Sequence, residues 1–321
     1  MEKIKVAVIG AGNMGKNHIR IYSEMNNVEL IGVVDLNNKI GKEIANKFNT
    51  NYFSDYKEVV DKVNAVSIVV PTKFHYGIAK EFLNSGVNVL IEKPITINLN
   101  EADEIIGLAD KNKLILQVGH VERFNPAIIE LSKYIKPDEI ISIDASRIGP
   151  FGVRITDSGV VLDLMIHDID IILSLMKDEI ASINAYGRTI KGNYEDYAAA
   201  SIKFKNGIIA NLTASRITQR RQRTLKITET EKYMKVDYMN KILEIYRQSQ
   251  AKYVTNDNDV KFIYSDVVER PYISQEEPLK LELQSFVECV KSRKNPVVDG
   301  IVGRKALDVA LKILDEIDKN K

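Results

Sequence analysis

Short apolar runs and longer amphipathic stretches alternate through the first third of the chain. Ile4–Ile9 reads as a strand apolar enough to be buried on both faces, and Val28–Asp35, Ala65–Val70, Val87–Ile91 and Leu114–Gly119 read as further strands. Between them the spacing predicts helices over about Asn13–Met25, Ile40–Phe48, His75–Asn84 and Asn98–Lys111, the last capped by Asn98 or Asn100. Strands that alternate with helices form βαβ units. Their right-handed crossovers build a doubly wound parallel sheet with ligands at the carboxyl ends of the strands.

After about His120 the pattern changes. Pro126–Tyr134 reads as a helix, Ile140–Arg147 as a strand, and Gly159–Met176 as one strongly apolar helix. Strands then follow one another: Ile180–Arg188, Ala198–Lys205, Ile208–Ser215, Thr224–Glu229, Tyr233–Tyr238 and Leu243–Tyr246. Asn206-Gly207 is a hairpin-turn signal between two of them. Residues 256–259 read as a polar loop, and helices over about Leu279–Lys291 and Val302–Lys319 close the chain. The expected fold is α/β: a Rossmann-type domain over residues 1–120, and an α+β substrate-binding and dimerisation domain over 121–321 with a large, mainly antiparallel open sheet.

Charge adds an exclusion. With 45 basic and 44 acidic residues the net charge is +1, which provides no global field for nucleic acid or a membrane surface. No stretch approaches the roughly 20 apolar residues that span a bilayer, and the first residues lack the long apolar run of a signal peptide. The one cysteine, Cys289, lies in the apolar pattern Leu283, Phe286, Val287, Val290 and reads as a core thiol. A cytoplasmic, reducing location is the expectation.

Gly10-Ala-Gly-Asn-Met-Gly15 follows the first strand and opens the first helix. In the spacing G-x-G-x-x-G the first glycine permits a tight turn and the second lets backbone amides approach a pyrophosphate. The third allows close helix–strand packing, and the phosphates lie at a helix N-terminus. Asp35 ends the second strand, where a carboxylate accepts the ribose hydroxyls and repels a 2′-phosphate, so NAD rather than NADP is expected.

Four further segments carry a resemblance. They are Pro71-Thr72-x-x-His75, Glu92-Lys93-Pro94, Gly119-His-Val-Glu-Arg-Phe-Asn-Pro126, and Gly159-Val-Val-Leu-Asp163-x-x-x-His167-x-x-Asp170. With the glycine turn, in this order and across essentially the whole chain, they resemble the glucose–fructose oxidoreductase/inositol dehydrogenase (Gfo/Idh/MocA) family. The resemblance implies a Rossmann domain, an open sheet that commonly buries a dimer interface, and an active site between the domains. It also implies that Lys93 contacts a substrate hydroxyl and the nicotinamide ribose, that Asp163 and His167 lie beside the reacting carbon with His167 as acid/base, and that Lys93-Pro94 is cis. The expected catalytic residues are Lys93, Asp163 and His167, joined by Arg123 for substrate. The expected cofactor residues are Gly10, Gly12, Asn13, Met14, Gly15, Asp35, Pro71, Thr72, His75, Glu92 and Lys93.

The residues themselves support these roles. Lys93 ends an apolar strand at the ligand edge of the sheet, where its ammonium is a fixed donor. Asp163, His167 and Asp170 are spaced i, i+4, i+7, so they form one stripe on the expected helix. Histidine titrates near neutrality, as removal of an alcohol proton requires. A structural Asp–His hydrogen bond competes with this reading. A metal site is not expected, because the chain has only four histidines and no cysteine cluster. His18 reads as a packing or surface residue. His75 and His120 lie at strand carboxyl ends, and Arg123 either serves the site or pairs with Glu122 or Glu92.

Val118–Ala127, Arg147–Phe151 and Val160–Asp170 resemble the UDP-N-acetylglucosamine 3-dehydrogenases within the family. That implies oxidation of a UDP-sugar to its 3-keto form, with a sugar aminotransferase acting downstream. Arg216, Arg220, Arg221 and Arg223 would suit a diphosphate, or else form a solvated hairpin or a subunit contact. A dehydrogenase of a free polyol such as inositol is the alternative, and a non-catalytic dinucleotide-binding regulator a more distant one. A homodimer or homotetramer is expected by resemblance.

Overall fold

The computed structural model describes residues 3–152, 158–176, 178–254 and 260–320, so the polar loop expected at 256–259 lies outside the described residues. The elements run β1 (Ile4–Ile9), α1 (Asn13–Glu24), β2 (Val28–Val34), α2 (Asn38–Lys47), β3 (Asn51–Phe53), β4 (Ala65–Ile68), α3 (His75–Asn84), β5 (Asn88–Glu92), α4 (Leu99–Asn112) and β6 (Leu116–Gly119). They continue through α5 (Pro126–Leu131), β7 (Ile140–Ile148), a π turn (Val161–Met165), α6 (Ile166–Leu175), β8 (Ile180–Arg188), β9 (Tyr197–Phe204), β10 (Ile209–Ser215), β11 (Gln222–Glu229) and β12 (Lys232–Asp237). β13 (Ile242–Val254), β14 (Val260–Glu269), α7 (Pro278–Ser292) and α8 (Gly300–Lys319) complete the chain.

The first compact unit comprises Met1–Phe124 and Glu277–Asp308. Its six strands pair in the order β3-β2-β1-β4-β5-β6, all parallel. This is the doubly wound order, with the reversal between β1 and β4. A parallel sheet needs cover on both faces. Part of that cover comes from α7, whose Leu279, Leu283, Phe286 and Val287 join Val6, Val8, Ile19, Ile21 and Tyr22 in one core. The linear division at 120/121 is therefore incomplete, because the apolar face of α7 returns a late segment to the first unit. The free edge of β6 is covered too: Val118 donates its amide to the carbonyl of Val298 at 2.9 Å. β3 escaped the pattern because a three-residue strand carries too little alternation.

The second unit comprises Asn125–Glu276 and Val309–Lys321, the boundary falling within α8. Its eight strands pair in the order β14-β13-β12-β11-β7-β10-β9-β8. Every neighbouring pair is antiparallel except β7/β10, so the sheet is mixed but mainly antiparallel. The β9–β10 hairpin turns at Asn206-Gly207, where Gly207 takes φ 93°. β13 extends well past the expected Leu243–Tyr246, through the polar run Arg247–Gln250, and pairs with β14, a strand the sequence pattern did not predict. α6 packs on β7 and β10, and α5 on β12 and β13. On the opposite face of the sheet Tyr186, Tyr197 and Ile209 are exposed. Among the described residues no helix is long and apolar enough to cross a membrane.

Phe286 is fully buried in the first unit's core. Phe286→Ala is expected to cost about 3–5 kcal/mol in denaturant unfolding. A loss below about 1 kcal/mol would mean that α7 does not complete that core.

Candidate functional site

The turn from β1 to α1 is shaped by glycine. Gly10 takes φ 103°, and a Cβ there would lie 2.3 Å from the Val69 carbonyl oxygen. A Cβ on Gly15 would lie 1.9 Å from the Gly10 carbonyl oxygen, so the helix rests on the turn itself. Gly12 differs, since a Cβ there meets nothing within 4 Å. It caps α1 without a side-chain hydrogen bond, whereas Asn37 and Asn98 cap α2 and α4 with theirs. The first-turn amides of α1 have no intrahelical acceptor, and the space beside Gly12 is open, the arrangement that accepts a phosphate. Asp35 closes the other side: one carboxylate oxygen accepts from Ala11 N–H and the other from Asn37 N–H, both at 2.7 Å. Each oxygen keeps a further lone pair for a ribose hydroxyl. Asn13 is exposed at this turn, while Met14 packs partly against the core. The residues present therefore fit a dinucleotide.

At the end of β5 the Lys93-Pro94 peptide is cis, as the resemblance implies. Glu92 is buried against Gly119 of β6, and its Oε1 lies 3.1 Å from His18 Nε2. Its other oxygen accepts the Lys93 amide at 3.3 Å. His18 is thus a fully buried partner of the Lys93 turn rather than a surface residue. His75 is buried as well, with Nδ1 at 2.9 Å from the Pro94 carbonyl and Nε2 at 2.8 Å from that of Val70. Its ring ties the Lys93-Pro94 turn to the segment leading into Pro71 and Thr72. Burial pushes the His75 pKa down although both carbonyls oppose it. Burial, with the charges of Lys93 and Arg123, pushes His120 down to about 3, so this ring is neutral at physiological pH.

In the second unit, Asp163 lies in the π turn, and His167 and Asp170 in α6. The single α-helix expected from Gly159 to Met176 is corrected. The i→i+5 turn inserts an extra residue, so the α-helical spacing that put all three in one stripe does not carry across it. Asp163 and His167 are half-buried and Asp170 is buried. Sequence reasoning missed the residues that hold this helix. Glu195 accepts from Val160 N–H with its carbonyl and from Val161 N–H with its carboxylate, both at 3.0 Å. That carboxylate lies where a Cβ on Gly159 would be, 2.0 Å away. Asp168, beside His167, takes both ends of the Arg147 guanidinium at 3.0 and 2.9 Å in a buried pair. Two adjacent ionisable residues in an apolar helix were the available signal, since they must face different surroundings.

The arginine cluster divides. Arg216 is buried, bonded to Asp196 at 2.6 Å and to the Ser158 carbonyl at 2.8 Å, so it is structural. Arg220 and Arg221 are exposed and Arg223 is half-buried. Among the described residues no group of three histidine, cysteine, aspartate or glutamate side chains is placed to hold a metal.

Two tests follow from this geometry. Gly12→Ala is expected to leave thermal stability within about 0.5 kcal/mol of the parent while weakening NAD binding, read by titration calorimetry. Gly15→Ala should lower both, because the helix must shift. Burial alone would raise the pKa of Asp196, but the amides of Ile190, Lys191 and Gly192 and the Arg216 guanidinium outweigh it and hold it at about 2. A depressed folded-state pKa contributes stability that is complete above the unfolded value and lost as the pH falls through the folded one. The melting-temperature gap between wild type and Asp196→Asn should therefore be full above pH about 4 and shrink as the pH falls towards about 2.

Comparison with known proteins agrees with this architecture. Residues 4–120 match the Gfo/Idh/MocA oxidoreductase family, NAD-binding Rossmann fold, and residues 145–235 match the family's C-terminal domain. The chain is 33% identical over 316 residues to the UDP-N-acetylglucosamine 3-dehydrogenase of Acidithiobacillus ferrooxidans, covering 98% of this chain and 97% of that one. It is 25% identical over 327 residues to the NAD(+)-dependent scyllo-inositol 2-dehydrogenase of Bacillus subtilis, covering 96% and 92%. A solved structure of the Acidithiobacillus enzyme superposes with a TM-score of 0.90 at 31% identity over 99% of both chains. The myo-inositol 2-dehydrogenase of Lactobacillus plantarum superposes at 0.81 with 22% identity over 100% of this chain and 98% of that one, a likeness of fold alone. The glycine turn, the Lys93-Pro94 segment and these near full-length likenesses lead to one assignment: this chain belongs to the Gfo/Idh/MocA family of oxidoreductases.

Proposed function

We propose that this protein oxidises the 3-hydroxyl of UDP-N-acetylglucosamine to the 3-keto sugar nucleotide, with NAD as hydride acceptor. The observation that carries the reading is the near end-to-end likeness to a UDP-N-acetylglucosamine 3-dehydrogenase in a chain that keeps Lys93, Asp163 and His167. NAD bound at the Gly10–Gly15 turn, with Pro71, Thr72 and Glu92 nearby, supplies the hydride acceptor. Asp35 accepts the adenosine ribose hydroxyls and disfavours a 2′-phosphate. Lys93 donates to the substrate hydroxyl and fixes its carbon for transfer. As the C–H pair leaves as hydride, His167 takes the hydroxyl proton, and the C–O bond becomes a ketone. Asp163 orients the His167 ring, and Arg123 contributes to substrate binding.

The exposed Arg220 and Arg221 are available for the diphosphate, without Arg216. That reduction, with the inositol dehydrogenase relative spanning 96% of the chain, favours a free polyol as the second reading. The protein acts as a homodimer or homotetramer through the sheet face that exposes Tyr186, Tyr197 and Ile209. A sugar aminotransferase consumes the ketone.

The deciding assay is NADH formation with purified protein, NAD and UDP-N-acetylglucosamine, with a ketone-trapping amine to draw the equilibrium forward. Growth of the signal that requires the UDP-sugar and fails with inositol or free N-acetylglucosamine supports the proposal; growth with inositol alone overturns it. His167→Ala should lower kcat by about a hundredfold or more while the NAD Kd stays nearly unchanged. Unaltered turnover would remove His167 from the chemistry.

A further inference from the structure

The Lys93 turn is held from behind by buried groups. His18, on the buried face of α1, is 0% exposed and lies one turn beyond Gly15. Its Nε2 is 3.1 Å from Glu92 Oε1, and the other Glu92 oxygen accepts the Lys93 amide at 3.3 Å. The ring stands edge-on to Tyr22, whose hydroxyl is hydrogen-bonded to Ser67 at 2.8 Å inside the same core. A histidine here serves the carboxylate it meets, because an ionised group taken out of water needs a donor.

We propose that His18 is a positioning residue for Lys93. It donates Nε2–H to Glu92, which by accepting the Lys93 amide sets the direction in which the lysine leaves β5. The helix that receives the dinucleotide phosphates at its N-terminus and the lysine that meets the substrate are thereby parts of one buried hydrogen-bonded assembly. Glu92 acts inward, through His18 and the Lys93 backbone, rather than by touching the cofactor. The role rests on reading Lys93 as the substrate-contacting residue, but the geometry it controls is measurable without turnover.

The experiment compares His18→Leu, His18→Gln, Glu92→Gln and the double variant His18→Leu/Glu92→Gln as full-length proteins. One readout is steady-state kinetics with NAD and UDP-N-acetylglucosamine, together with the NAD Kd. The other is the rate at which an acylating reagent modifies Lys93 relative to the exposed Lys73, measured peptide by peptide by mass spectrometry. His18→Leu and Glu92→Gln should each lower kcat at least about tenfold, leave the NAD Kd within about twofold, and speed Lys93 acylation relative to Lys73. The double variant should lose no more than the worse single one, as expected for members of one network. His18→Gln, which keeps an N–H donor in reach, should restore the Lys93 labelling rate.

A folded His18→Leu protein with wild-type kcat and wild-type Lys93 labelling overturns the proposal. So does a Glu92→Gln protein that loses NAD affinity while His18→Leu does not, since Glu92 would then be a cofactor ligand. If His18→Leu fails to fold, Glu92→Gln and His18→Gln carry the same comparison. If wild type turns over no sugar nucleotide, the substrate reading fails, and the labelling comparison still decides the role of His18.

Discussion

How closely α1 approaches the sheet governs the whole first unit. Gly15 rests on the Gly10 carbonyl, and Gly10 rests on that of Val69, with no room for a methyl group at either place. Because the helix starts this low, Ile19, Ile21 and Tyr22 reach the core beneath it and His18 reaches Glu92. A helix displaced by the width of one Cβ would lose the nucleotide turn, the packing of α7 and the buried support of Lys93 together. Glycine here is a distance requirement more than a conformational one, apart from the positive φ of Gly10.

The second unit places the helix that carries Asp163 and His167 by another device. A glycine, Gly159, stands just before the π turn, because the Glu195 carboxylate occupies the space a side chain would need. Glu195 gives two amides at the helix start the acceptors they lack, and its charge suits the positive end of the helix dipole. Next to it, Asp196 organises the amides of residues 190–192 and the guanidinium of Arg216, which in turn holds the Ser158 carbonyl. Two adjacent acidic residues in one loop thus fix both sides of the segment that introduces Asp163 and His167. Further along, the buried Arg147–Asp168 pair ties α6 to the sheet below it. Removing either partner would strand a charge in the interior, which is costly even where the intact pair adds little stability.

Local patterns revealed local structure, and that covered most of the fold. Apolar runs marked β1, β2, β4, β5 and β6, and the Asn-Gly pair marked the β9–β10 turn. The short β3 escaped because its alternation was too brief, and β14, Val260–Glu269, because its apolar residues do not alternate strictly with its polar ones. The π turn escaped because an averaged apolar helix looks alike with or without one inserted residue. The nucleotide turn was readable since its spacing has a mechanical cause. The buried partners were not: His18 and Glu92 are 74 residues apart, and Val161 and Glu195 are 34 apart. Arg216 shows the converse error, since closeness in sequence grouped it with Arg220 and Arg221 while Asp196 holds it inside.

The late return of α7 has a consequence for how the chain is made. Leu279, Leu283, Phe286 and Val287 pack on strands and helices formed by the first 124 residues. A ribosome releases those strands long before it reaches α7, so the nascent sheet stands with part of one apolar face bare while the second unit is synthesised. Contacts of such wide sequence separation form slowly, and bare apolar surface is where nascent chains associate wrongly. Chaperone demand during synthesis is therefore built into this topology, greatest just before residue 277 emerges and relieved once α7 docks.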